Sequence, residues 1–222
     1  MIIVLTNDDG YQSEKLQYTR KVLEEFGTVY TIAPTVQQSA KAMALTIGGF
    51  TFNKIDEYNY TIDGTPVDCV NFAHAGIDIK PDLVVSGTNH GYNIGIDVNY
   101  SGTVGATKQA QYFGYKTIAL SADRVGDTIL EAELKNTLDY IFTNEMLSKE
   151  YTLNVNFPRE KFVESKGILE TTVYYQEFEY LPQIIGNKFV PNRQYVFGQS
   201  LPKNTDAYAY KEGYTSISKV KV

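Results

Sequence analysis

Short apolar runs alternate with amphipathic stretches along the first 157 residues, and then the alternation stops. Ile2 to Thr6 is a continuous apolar run of strand length, the pattern of a strand buried on both faces. Glu14 to Phe26 carries Leu16, Thr19, Val22, Leu23 and Phe26 at helical spacing, with Gly27 as the stop. Thr28 to Ala33 predicts a second strand, ended by Pro34, and Ala44 to Ile62 alternates as one or two strands of a hairpin. Thr65-Pro66 opens a helix through Asp68, Cys69, Phe72 and Ala73, with proline where its missing N–H costs nothing. Strands are expected at Leu83–Ser86, Lys116–Ser121 and Thr152–Phe157, and helices at Thr103–Phe113 and Ile129–Ile141. Strands and helices alternating at this spacing predict an α/β fold with a mostly parallel sheet and right-handed crossovers.

Beyond Pro158 the rhythm changes. Residues 168–181 and 193–198 read as strands with no helix between them, so residues 158–222 are expected to form a β-rich extension on the α/β core of residues 1–157. The chain has 18 Tyr and no Trp, and many of the tyrosines follow residue 173, which points to exposed aromatic faces suited to subunit contact. A net charge of −6 argues against a sequence-independent grip on a nucleic-acid duplex, which needs clustered Lys and Arg. The single cysteine, Cys69, cannot form a disulfide within the chain and reads as a small buried side chain. The opening apolar run is too short for a signal peptide, and no run approaches the roughly 20 residues that cross a bilayer, so a cytoplasmic protein without a membrane partner is expected.

The chemistry gathers where predicted strands end, which is where open α/β sheets bind ligands. The first strand stops at Asn7-Asp8-Asp9-Gly10. Adjacent carboxylates repel unless a cation lies between them or one holds a proton, and a divalent metal ion satisfies both. Such residues also favour turns in their own right. Here, however, they close a strand and lead into a helix rather than a return strand. The strand at Leu83 runs into Ser86-Gly-Thr-Asn89-His-Gly91-Tyr-Asn93-Ile-Gly95, whose glycines permit close backbone approach and whose Asn89 and Asn93 offer neutral hard oxygens. Tyr100-Ser101-Gly102-Thr103 enters a helix and offers free N–H groups and hydroxyls to a phosphate, without the closing Gly-Lys-Ser/Thr of a P-loop. Ser39 follows the second strand and joins the same edge. Two carboxylates, an amide, a hydroxyl and a helix start suit a divalent metal holding a phosphoryl oxygen.

These residues carry a resemblance. Asn7–Gly10, Ala33-Pro34 with Gln38-Ser-Ala40, Gly64–Val70, Val85–Asn93, Tyr100–Val104 and Thr205–Ser218 stand in the order of the SurE family of stationary-phase survival proteins. The chain is similar to that family, whose members are metal-dependent nucleoside-monophosphate phosphatases (5′/3′-nucleotidases). The resemblance implies a Rossmann-like three-layer core, with a β-rich C-terminal extension used in forming a homodimer or homotetramer. It implies that Asp8, Asp9, Ser39 and Asn89 ligate one Mg²⁺ or Mn²⁺ per subunit. It also implies that Asn93, Ser101, Gly102 and Thr103 face the phosphate. The catalytic candidates are Asp8 and Asp9, either of which could accept the proton of the attacking water. Two departures stand out: Lys108-Gln109-Ala110 replaces a Met-Glu-Gly-like run, and the chain ends soon after Ser216-Ile-Ser218, without the tail helix of many relatives.

Hydrolysis of a phosphate monoester needs charge neutralisation on the phosphoryl oxygens and an in-line water. Haloacid-dehalogenase-like chemistry through an aspartyl-phosphate is disfavoured, because the opening acids are adjacent rather than Asp-x-Asp. His90 reads as a bystander, His74 as structural or at a subunit contact, and Asp68 as a brace for the loops. A non-catalytic nucleotide sensor is the alternative function, left open by Gln109 where the family carries Glu.

Overall fold

The structure is a computed structural model that describes residues 1–175, 177–196 and 200–221. At its centre are β1 (Ile2–Thr6), β2 (Thr28–Pro34) and β5 (Leu83–His90), with β1 parallel to both neighbours and Ile3 opposite Val29 and Leu83. The chain adds β3 (Phe52–Lys54) and β4 (Asn59–Ile62) beyond β2, and β6 (Lys116–Ala122) and β7 (Thr152–Asn156) beyond β5. With β8 (Ile168–Thr171) and β13 (Thr215–Val220), the nine-stranded sheet among the described residues runs β3-β4-β2-β1-β5-β6-β7-β13-β8. Only the β3–β4 and β7–β13 pairs are antiparallel.

The apolar run of β1 is explained by two covered faces. Ile3 and Leu5 join Leu16 and Leu23 of α1 (Glu14–Leu23) and Leu134 and Leu138 of α4 (Thr128–Thr143). Val4 turns the other way, toward Val70 of α2 (Pro66–Asn71) and Ala106 and Ala110 of α3 (Gly102–Tyr112). The result is the expected three-layer α/β/α core.

Local chemistry places the helices. Ser13 caps α1, accepting from the Leu16 N–H, and Thr65 and Asp68 form a capping box on α2 with Pro66 in its first turn. The brace role of Asp68 is direct, since its carboxylate also accepts from the Thr46 N–H and hydroxyl. Two expectations change. α1 ends at Leu23 rather than Phe26, and Gly27 does not cap it in a left-handed turn; a Cβ at Gly27 would collide with the Met1 carbonyl oxygen, so glycine is needed for close approach. His74 lies in a wide turn after α2, stacked on Phe113 with a 4.0 Å centroid separation and bonded to Tyr115 Oη at 2.6 Å, a structural role. Cys69 is fully buried, and burial pushes its thiol well above the usual range.

The extension is less separate than its composition suggests. β8 and β13 complete the central sheet, and α5 (Asp206–Glu212), unforeseen in the sequence pattern, runs between Thr205 as N-cap and Gly213 in a left-handed C-cap. Between β8 and α5 the chain leaves the sheet as two nested hairpins. β9 (Glu177–Tyr180) pairs with β12 (Arg193–Val196), and β10 (Gln183–Ile185) pairs with β11 (Lys188–Val190). The predicted strand 193–198 is described as far as Val196; residues 197 and 198, and residue 176 of the 168–181 stretch, lie outside the described residues. This arm exposes Tyr180, Ile184, Ile185 and Phe189. Among the described residues, no helix is long and apolar enough to cross a membrane.

Candidate active site

Chain order reverses between β1 and β5, and in sheets of this kind that switch point opens a crevice beyond the carboxyl ends of the strands. Asp8 and Asp9 follow β1 there. β5 reaches further than the apolar pattern suggested: instead of ending at Ser86 it continues to His90, with its register against β6 shifting between Ser86 and Asn89. Gly87 makes the irregularity possible, having φ +130° and a position where a Cβ would strike the Leu120 carbonyl. The shift carries Asn89 and His90 to the crevice.

Asp8 is the most constrained group of the site. It is 3% exposed, one carboxylate oxygen accepts from Thr103 Oγ1 at 2.7 Å, and Gly102 lies so close that a Cβ there would sit 3.0 Å from Oδ2. Burial pushes its pKa up to about 6; the Thr103 hydroxyl pulls it down and the negative charge of Asp9 pushes it up. Asp9 is half-buried, and its Oδ2 accepts from the His90 N–H at 2.8 Å. The Gln38 N–H donates to the Asp8 carbonyl at 2.6 Å, which pins the loop bearing Ser39 against the end of β1. Asn89 donates its side-chain N–H to the Gly91 carbonyl at 2.8 Å, so its own amide oxygen is left for another partner.

Asp8, Ser39, Asn89, Asn93 and Ser101 line one cleft. Asp9, Gly102 and Thr103 are not among the lining residues, and Thr103 has its hydroxyl committed to Asp8. Ser101 is the N-cap of α3, its Oγ accepting from the Val104 N–H. Asn93 is held from several sides: its N–H donates to Asn156 Oδ1, its carbonyl accepts from Asn154 and Asn156, and its Nδ2 donates to Ser121 Oγ. Two further lining residues, Asp97 and Arg124, carried no signal in the sequence; Tyr92 and Tyr100 stood in the marked segments without a role, and His90 was discounted. Sequence reasoning also missed Asp206, fully buried, whose carboxylate accepts from the N–H groups of Gly95, Tyr174 and Ala207 and so fixes the turn after Asn93. Gln109 bonds Asn71 across the α2–α3 contact and does not line the cleft.

The donors brought together are all hard oxygens, and the buried acid carries a like-charged neighbour. Among the described residues, no cluster of three or more His, Cys, Asp or Glu forms, so a cation here would rest on two carboxylates and neutral oxygens. That set fits Mg²⁺ or Mn²⁺ better than a thiophilic metal.

Fold and cleft together define a Rossmann-like α/β protein with an acidic, oxygen-lined crevice at its switch point and a helix start packed against its buried acid. The sequence profile described as Survival protein SurE matches residues 3–179, and the chain belongs to the SurE family. It is 36% identical to 5′-nucleotidase SurE of Aquifex aeolicus, over 97% of this chain and 90% of that protein. It is 33% identical to 5′/3′-nucleotidase SurE of Wigglesworthia glossinidia brevipalpis, over 98% and 90%. The crystal structure of the SurE protein from Aquifex aeolicus superposes with a TM-score of 0.85 at 33% identity, covering 100% of this chain and 93% of that one.

Proposed function

We propose that this protein hydrolyses nucleoside monophosphates to nucleoside and phosphate, as a 5′/3′-nucleotidase that needs one divalent cation, Mg²⁺ or Mn²⁺, per subunit. The observation that carries the reading is the buried Asp8 carboxylate, adjacent in sequence to Asp9 and held against the first turn of α3 in an oxygen-lined cleft. The names of the relatives, 5′-nucleotidase and 5′/3′-nucleotidase SurE, support it.

Asp8, Asp9, Ser39 and Asn89 hold the cation in this reading. When bound, the cation supplies positive charge to a phosphoryl oxygen and lowers the pKa of water at the site. The chain's own residues do the rest. Thr103 orients the Asp8 carboxylate through its hydroxyl. Ser101 and the opening of α3 present the positive end of the helix to the phosphate, and Asn93 meets it from a side chain already anchored to Ser121. Donors held in place beforehand lose little on reorganisation. The sensor alternative lacks support, because Gln109 serves the α2–α3 contact. The exposed apolar residues of the β9–β12 arm fit burial against a second copy of the chain, which light scattering at twice the chain mass would bear out and a monomer would refute.

The test crosses a panel of nucleoside monophosphates with a panel of divalent ions and measures released phosphate. The reading requires turnover with Mg²⁺ or Mn²⁺ and none after chelation. Tight nucleotide binding with no release under any ion would refute it.

Asp8 also sets an expected pH dependence. Its folded pKa, about 6, lies above the ordinary value of 3.8, so the folded state favours the protonated acid. That contribution is fully present below about pH 4 and is lost as pH rises through 6, which amounts to about 3 kcal/mol. Chelated protein is therefore expected to weaken toward denaturant across this window, and Mg²⁺ or Mn²⁺ to restore it at pH 7. A flat profile for the chelated protein would contradict the assignment.

A further inference from the structure

Among the described residues, the cleft is lined by two acids, Asp8 and Asp97, and by a single Lys or Arg side chain, Arg124, which follows the end of β6. Arg124 is exposed and has no ion-pair partner among the described residues. The acids nearest it in sequence are engaged elsewhere: Asp123 accepts from the Val125 and Glu160 N–H groups, and Asp127 pairs with Lys15. Its side chain lies across Gly91, where a Cβ would stand 3.1 Å from Nε and 3.7 Å from Nη2. The bare backbone at Gly91 lets the guanidinium settle two residues from Asn89, on the cleft wall.

Charge gives that position a purpose. Two carboxylates neutralise one divalent cation, and a phosphate monoester arrives as a dianion. A planar guanidinium is the side chain best shaped to receive two phosphate oxygens at once. We propose that Arg124 contacts the phosphate dianion of the substrate and is the protein's own cation for that group. The inference rests on the nucleotidase reading for the identity of the substrate, but not for the contact with phosphate.

The experiment compares wild type, Arg124→Met and Arg124→Lys in steady-state hydrolysis of AMP, in product inhibition by inorganic phosphate, and in calorimetric titration with inorganic phosphate in the presence of Mg²⁺. Arg124→Met is expected to raise KM and the phosphate inhibition constant together by about tenfold, the size of one charge-assisted hydrogen bond, with little change in kcat. Arg124→Lys keeps the charge without the fork and is expected to recover part of the loss. Unchanged phosphate affinity in Arg124→Met would overturn the proposal, and so would a raised KM with unaltered phosphate inhibition, which would place the guanidinium on the nucleoside. If the wild type released no phosphate from any nucleoside monophosphate, the nucleotidase reading would fall, and the calorimetric comparison would still decide the role of Arg124. Because Arg124 is exposed and has no ion-pair partner among the described residues, the melting temperatures of both variants are expected to match wild type.

Discussion

Asp8→Asn is expected to cut phosphate release from nucleoside monophosphates by about 1,000-fold or more while leaving the protein folded. The substitution is nearly isosteric and keeps an oxygen to accept from Thr103 Oγ1, so the wall between β1 and α3 survives. What goes is the negative charge at the most buried of the groups proposed to hold the cation. The same change removes the cost of burying that charge, the main cause of the raised Asp8 pKa, and with it the repulsion from Asp9. Chelated Asp8→Asn protein should therefore resist denaturant at pH 7 better than chelated wild type, even as activity disappears. Loss of activity with a gain in metal-free stability separates a site residue from a structural one. Retention of turnover within tenfold of wild type would contradict the role given to Asp8.

Asp206→Ala is expected to destabilise the fold by about 4 kcal/mol. Its fully buried carboxylate accepts from Gly95 N at 2.9 Å and from Tyr174 N and Ala207 N at 2.8 Å each. Truncation would orphan two buried donors, on the turn after Asn93 and at the start of α5, and a partly buried one on the approach to the β9–β12 arm. Burial pushes the Asp206 pKa up, even with those donors favouring the charged form. Asp206→Asn retains an acceptor and should cost less than half as much. Urea unfolding monitored by circular dichroism would measure both, and a loss under about 1 kcal/mol in Asp206→Ala would show that water replaces the carboxylate without penalty.

Features written in neighbouring residues were legible before any coordinates. β1 and its acid pair are one contiguous signal, an apolar run stopped by Asp8 and Asp9, and α2 announces itself through Thr65, Pro66 and Asp68. Features that depend on a distant partner were not. Gly27 looks like a helix stop until Met1 is seen pressing against it, and Gly87 looks like a loop residue until the Leu120 carbonyl appears opposite. α5 spans only seven residues, too few to display a helical period, and β10 and β11 are too short to display alternation. Within the site the division is the same. Asp8, Ser39, Asn89, Asn93 and Ser101 come from segments marked in the sequence as following a strand or opening a helix, and they share one cleft. Asp206 and Arg124 are single polar residues whose meaning lies in what surrounds them in space. Thr103 shows the limit from the other side: its segment was marked for phosphate, and its hydroxyl is bonded to Asp8.

The central claim is that a divalent cation sits on the acid pair after β1, facing an anion held at the start of α3. Crystals soaked in Mn²⁺ and sulfate test this through the anomalous signal of manganese. The account predicts one manganese peak per chain at Asp8, Asp9, Ser39 and Asn89, with sulfate beside Ser101 and Asn93. No peak at these carboxylates, or manganese bound elsewhere while they turn away from the α3 start, would contradict it.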